Sequence, residues 1–106
     1  MHFLGGVWLG MFGVWCWHVV RPGVLSCFRV VAVAGGTALV LGCVWEAYEY
    51  AVFVWGGSAL PGNYTGDTAL DLLMDLSGAL VAGVGWASET LRKKHPTAAT
   101  RPVVAP

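Results

Sequence analysis

Residues 30–55 read VVAVAGGTALVLGCVWEAYEYAVFVW, an apolar run with no Lys or Arg and only two carboxylates, Glu46 and Glu49. A helix rises about 1.5 Å per residue, so roughly 20 apolar residues already cross the hydrocarbon core of a bilayer. The run therefore predicts a membrane-spanning helix, and its two acids become the residues that need a reason.

Residues 3–20 and 68–87 repeat the pattern on either side. With 57% hydrophobic residues in a chain of 106, there is far more apolar surface than one small soluble domain can bury. The expected fold is all-α: a small polytopic membrane bundle of three transmembrane helices, spans about 3–20, 30–55 and 68–87, forming one domain over residues 1–88.

The connections carry their own punctuation. Arg21-Pro22-Gly23 ends the first span, because proline lacks a backbone donor and glycine is permissive, and Ser26 leads into the second. Gly56-Gly57-Ser58 and Pro61-Gly62-Asn63 mark the second connection, after which Asp67 is expected to cap the third helix. After Ser88 the chain turns basic and proline-bearing, so residues 89–106 are expected to form a mobile tail beyond one or two helical turns. The first apolar stretch lacks a basic leader and a small-residue cleavage site, and it reads as a retained span. Cys16, Cys27 and Cys43 share no metal-ligand spacing and lie in apolar runs as small hydrophobes.

Charge placement gives the orientation. All 6 basic residues fall in the 21–29 connection or beyond Ser88. Cytoplasmic loops hold the excess of Lys and Arg, so the tail is expected in the cytoplasm, with the N-terminus and the 56–67 loop extracytoplasmic at the cell membrane. Arg92-Lys93-Lys94 reads as a topology signal before it reads as a head-group contact. Trp15, Trp17, Trp55, Tyr64 and Trp86 fit interfacial belts, whereas Trp8 and Trp45 are expected to pack between helices. Asn63-Tyr64-Thr65 is a sequon, meaningful only in a eukaryotic secretory pathway.

Asp67, Asp71 and Asp75 recur every fourth residue and share one drifting helical stripe that continues to Gly78. Gly42, Glu46, Glu49 and Tyr50 follow one another along the second span, and His2, Gly6 and Gly10 along the first. Each helix thus reads as polar in its outer half and small within, the small faces permitting close approach in lipid. Equal rise from aligned span ends predicts Glu46 level with Asp75 and Glu49 level with Asp71, with His2 nearby. No Lys or Arg is expected there, so the carboxylates cannot all stay ionised side by side without shared protons, a cation or water.

Ionisable groups inside a membrane commonly mark ion, proton or ligand paths, and they also serve as hydrogen-bonded glue. His2, Glu46, Glu49, Tyr50, Asp71 and Asp75 form the expected polar cluster. Its oxygen donors suit a divalent cation, Mg²⁺, Mn²⁺ or Ca²⁺, with Glu46, Glu49, Asp71 and Asp75 as candidate metal ligands. Nucleophile elbows, phosphate-binding glycine loops and His-Glu-xx-His are missing from the sequence, and no basic-aromatic interleaving points to nucleic acid.

HFLGG at 2–6, WEAYEY at 45–50 and YTGDTALDLLMDLSGA at 64–79, taken in order, resemble the VanZ-like integral membrane proteins, especially the YjdF-like branch. By that resemblance His2 is the first-span histidine, Glu46 and Glu49 the second-span acids, Asp67, Asp71 and Asp75 the third-span aspartates, and Gly78 the glycine that follows. The resemblance implies a multi-pass helical protein, some of whose relatives are linked to glycopeptide resistance and the cell envelope. The expected function is non-enzymatic binding of a cation or head group in an outward-facing acidic cluster within the lipid bilayer. The alternatives are proton or cation conduction, which would call for a homo-oligomer, and purely structural helix packing. Chemistry on a lipid-linked phosphate ranks last, because no basic residue faces that side.

Overall fold

The computed structural model describes residues 1–95 and residue 105. Three helices follow in order: α1 (His2–Val20), α2 (Cys27–Trp55) and α3 (Tyr64–Lys94), each long and apolar enough to cross a membrane, with no strand among the described residues. Helices satisfy every backbone donor and acceptor internally, which lipid cannot do for them.

The ends are set locally. Ser26 caps α2, its Oγ accepting from the Arg29 amide at 3.4 Å. At the other end the Ser58 amide donates to the Phe53 carbonyl and the Gly57 amide to the Val54 carbonyl, a Schellman closure with Gly57 at φ 68°. That left-handed conformation favours glycine, so Gly57 stops α2 where the sequence places a break.

One boundary differs from expectation. Asp67 is not the cap of α3: the helix starts at Tyr64 with Asn63 in the cap position, and Asp67 lies in its first turn. An acid there still complements the positive end of the helix dipole. Beyond Ser88, where one or two further helical turns are expected, α3 continues to Lys94. Thr-Leu-Arg-Lys-Lys contains strong helix formers, and three cations in the last turn face the negative end of the dipole. The rest of the expected tail, residues 96–104 and 106, lies outside the described residues.

Glycines decide how the helices meet. A Cβ on Gly6 would run into the Asp75 carbonyl, and one on Gly78 into the Phe3 carbonyl and the Val7 amide. Further along, a Cβ on Gly10 would stand 2.9 Å from Ala79 Cα. Residue numbers rise together along this seam, so α1 and α3 are parallel, backbone against backbone. The α2 helix runs the other way, with Gly42 beside Leu72 and Asp75, Gly35 beside Leu76 and Leu80, and Val31 and Ala34 beside Gly83. Gly13 receives Thr37 where α1 and α2 cross.

The interior is correspondingly small, made of Val14, Val30, Ala34, Ala38, Ala79 and Ala87, while the larger apolar side chains point outward. Trp8 and Trp45 belong to the outer set, 65% and 57% exposed, contrary to the expectation that they pack between helices. With backbones this close there is no room for an indole inside. Trp8 stacks instead on Phe12 along the outside of α1, ring centres 5.5 Å apart.

Candidate functional site

Five of the six acidic residues gather where α1 begins, α2 ends and α3 begins. The close backbone approaches of Gly6 to Asp75 and of Gly78 to Phe3 and Val7 draw the first turn of α1 onto α3, which carries His2 to the aspartates one helical turn apart. His2 Nε2 stands 3.4 Å from Asp71 Oδ2, and Nδ1 stands 3.9 Å from Asp75 Oδ1. A protonated His2 is therefore a counter-charge to both.

Asp75 is 8% exposed and sits where all three helices converge. A Cβ on Gly5 of α1 would lie 3.6 Å from its Oδ1, and a Cβ on Gly42 of α2 would lie 3.2 Å from its Oδ2. Two glycines on different helices thus leave the volume that this carboxylate fills.

Glu46, also 8% exposed, belongs to a separate contact. Its Oε2 accepts from Thr68 Oγ1 at 2.9 Å, and its backbone carbonyl accepts from the Tyr64 hydroxyl at 3.3 Å. Glu46 is therefore level with Thr68, and Asp75 with Gly42, so the predicted pairing of Glu46 with Asp75 does not form. The physical reason lies in the helix ends. Tyr64 opens α3 with its ring beside Tyr50 and Phe53, at 6.0 and 6.2 Å, so α3 starts below the end of α2 instead of level with Trp55.

Tyr50 is likewise displaced from the cluster. Its exposed ring pairs with Tyr64 at the rim, and it makes no hydrogen bond to a carboxylate among the described residues. Thr68 and Tyr64 are the polar partners the sequence reading missed. The signal was the alternating spacing Tyr64, Thr68, Asp71, Asp75, Gly78, which holds one face of a helix where the strict four-residue repeat from Asp67 drifts off it.

Two clefts open between these contacts. The larger, of about 570 Å³, is walled by His2, Trp45, Glu49, Asp71 and Asp75 among others. A smaller one of about 220 Å³ lies beside Glu46, Tyr64, Asp67 and Thr68 and is closed on one side by Pro61 of the connection. Glu49 and Asp71 line both and form the partition. Among the described residues no three His, Cys, Asp or Glu side chains converge in a group that would hold a metal ion. The four candidate metal ligands are split instead, Glu46 engaged by Thr68 and Asp75 seated between glycines. The three cysteines are free thiols on outer or half-buried positions.

At the opposite end Arg92 stands 3.4 Å from Glu89, and His18 stacks on Trp86 with ring centres 5.9 Å apart.

No curated protein and no solved structure matches this chain. A family model does, over residues 1–92, covering α1, α2, both clefts and α3 as far as Arg92. The chain belongs to the DUF2238 family of predicted membrane proteins.

Proposed function

We propose that this is a non-enzymatic VanZ-like protein of the cell envelope whose larger cleft faces the extracytoplasmic side and takes up a cation, best an organic ammonium head group. The observation that carries the reading is the composition of that cleft. Glu49, Asp71 and Asp75 stand around about 570 Å³ with Trp45 as an aromatic wall and no Lys or Arg. Carboxylates in a membrane need a counter-charge, and among the lining side chains His2 supplies at most one. An ammonium group is attracted both by carboxylates and by the face of an indole.

The division of the acids supports a ligand role for some and a packing role for another. Glu46 has its hydrogen-bond partner in Thr68 and holds α2 to α3, whereas Glu49 has no partner among the described residues. Because no metal cluster forms among the described residues, a hydrated or organic cation fits better than a stripped divalent ion. The extracytoplasmic orientation rests on the basic residues lying at the other end.

The test is binding of tetramethylammonium and of Mn²⁺ to the purified full chain in neutral detergent. Tetramethylammonium should bind and should displace Mn²⁺, with both lost in Glu49→Gln/Asp71→Asn. Helicity of that variant should match the wild type. A wild-type chain that binds neither probe refutes the proposal.

A further inference from the structure

Arg21 and Arg29 stand apart from the carboxylate end, one just after α1 and the other in the first turn of α2. Five of the six acidic residues are at the far end, and the sixth, Glu89, is engaged by Arg92. Neither Arg21 nor Arg29 has a carboxylate partner among the described residues. Both nevertheless line one cleft of about 410 Å³ together with Trp17. The Arg21 guanidinium lies over the Trp17 ring, 5.8 Å from its centre, which keeps that cation at the cleft wall.

The cleft continues into apolar space. Trp17, Ala32 and Val33 also wall a groove of about 430 Å³ that follows the α1–α2 seam past Gly36 and Thr37. Gly36 leaves this groove open, since a Cβ there would meet nothing within 4 Å. Two guanidinium groups at one end of an apolar groove complement a phosphate attached to an acyl chain. Guanidinium pairs with phosphate oxygens in two parallel hydrogen bonds, and a bilayer presents phosphate at the level where a spanning helix ends.

We propose that this composite cleft seats one anionic phospholipid, its phosphate between Arg21 and Arg29 and one acyl chain along the groove past Gly36. Free phosphate would satisfy the arginines and leave the groove empty. The groove is what commits the site to a lipid.

Native mass spectrometry of the full chain in neutral detergent tests this, with phosphatidylglycerol, phosphatidylcholine and inorganic phosphate as probes. Phosphatidylglycerol should be retained over phosphatidylcholine, and its apparent affinity should fall roughly fivefold for each of Arg21→Gln and Arg29→Gln. Gly36→Phe should also remove it with helicity unchanged, and Gly36→Leu replaces that variant if helicity is lost. Equal retention of the two lipids overturns the proposal, as do adducts indifferent to the arginine substitutions. Phosphatidylglycerol that survives both Gly36 substitutions and is displaced by inorganic phosphate overturns the lipid assignment in favour of a phosphate-only site.

Discussion

Gly78→Ala tests the α1–α3 seam and the site together. A methyl group at position 78 would overlap the Phe3 carbonyl and the Val7 amide, which are backbone atoms and cannot swing aside. The helices must separate, and a gap on the order of 1 Å forfeits a quarter to a half of the dispersion attraction along the seam. Overpacking of this kind costs about 1–3 kcal/mol. The substitution also raises intrinsic helix propensity by about 1 kcal/mol, which would mask part of the loss. Gly85→Ala on the same helix removes that ambiguity, because its Cβ would meet nothing within 4 Å. Both variants gain the same propensity, and only one meets α1. Unfolding of the full chain by increasing dodecyl sulfate in mixed micelles, followed by circular dichroism, should place Gly78→Ala below Gly85→Ala by about 1–3 kcal/mol, the propensity gain cancelling between the two. Coincident unfolding curves for the two variants would refute the backbone contact and with it the approach of His2 to Asp71.

Thr68→Val keeps the shape of the side chain but leaves Glu46 Oε2 without its donor, and the same unfolding assay should register a loss of about 0.6–1.7 kcal/mol, from the average to the maximum of the coupling energies of interhelical hydrogen bonds in membranes. Tyr64→Phe should cost less, since its hydroxyl bond to the Glu46 carbonyl is long at 3.3 Å, and Tyr50→Phe should be neutral in that assay. In a background lacking the native cysteines, Ser58→Cys should react with a membrane-impermeant maleimide on intact cells. A cysteine restored at position 27 should react only after permeabilisation. The reverse labelling pattern would invert the proposed orientation.

The sequence made the three helices and their connections legible because length, apolarity and the Arg-Pro-Gly and Gly-Gly breaks each act within a few residues. It also named His2, Asp71 and Asp75, which do meet. Their pairing with α2 was beyond its reach. Pairing by depth requires the end of α2 and the start of α3 to lie level, and nothing local in Pro61-Gly62-Asn63-Tyr64 reveals that the chain runs back alongside α2 before α3 begins. A shift of this size exchanges one set of neighbours for another, so Glu46 finds Thr68, and Asp75 finds the bare backbone at Gly42. Trp8 and Trp45 were misplaced for a related reason. Burying an indole needs helices held apart, and the glycines at the helix contacts bring them too close for that.

The parallel arrangement of α1 and α3 also imposes a chronology. Chain growth delivers α1 to the membrane well before its closest partner exists, and α2 must cross and turn at Gly57 before α3 can be laid beside it. Until then the groove at Gly6 and Gly10 stands open and the imidazole of His2 has no aspartate to face. Closure of that seam marks a finished molecule, and a chain arrested after α2 would display the unpaired groove to whatever surveillance the membrane provides.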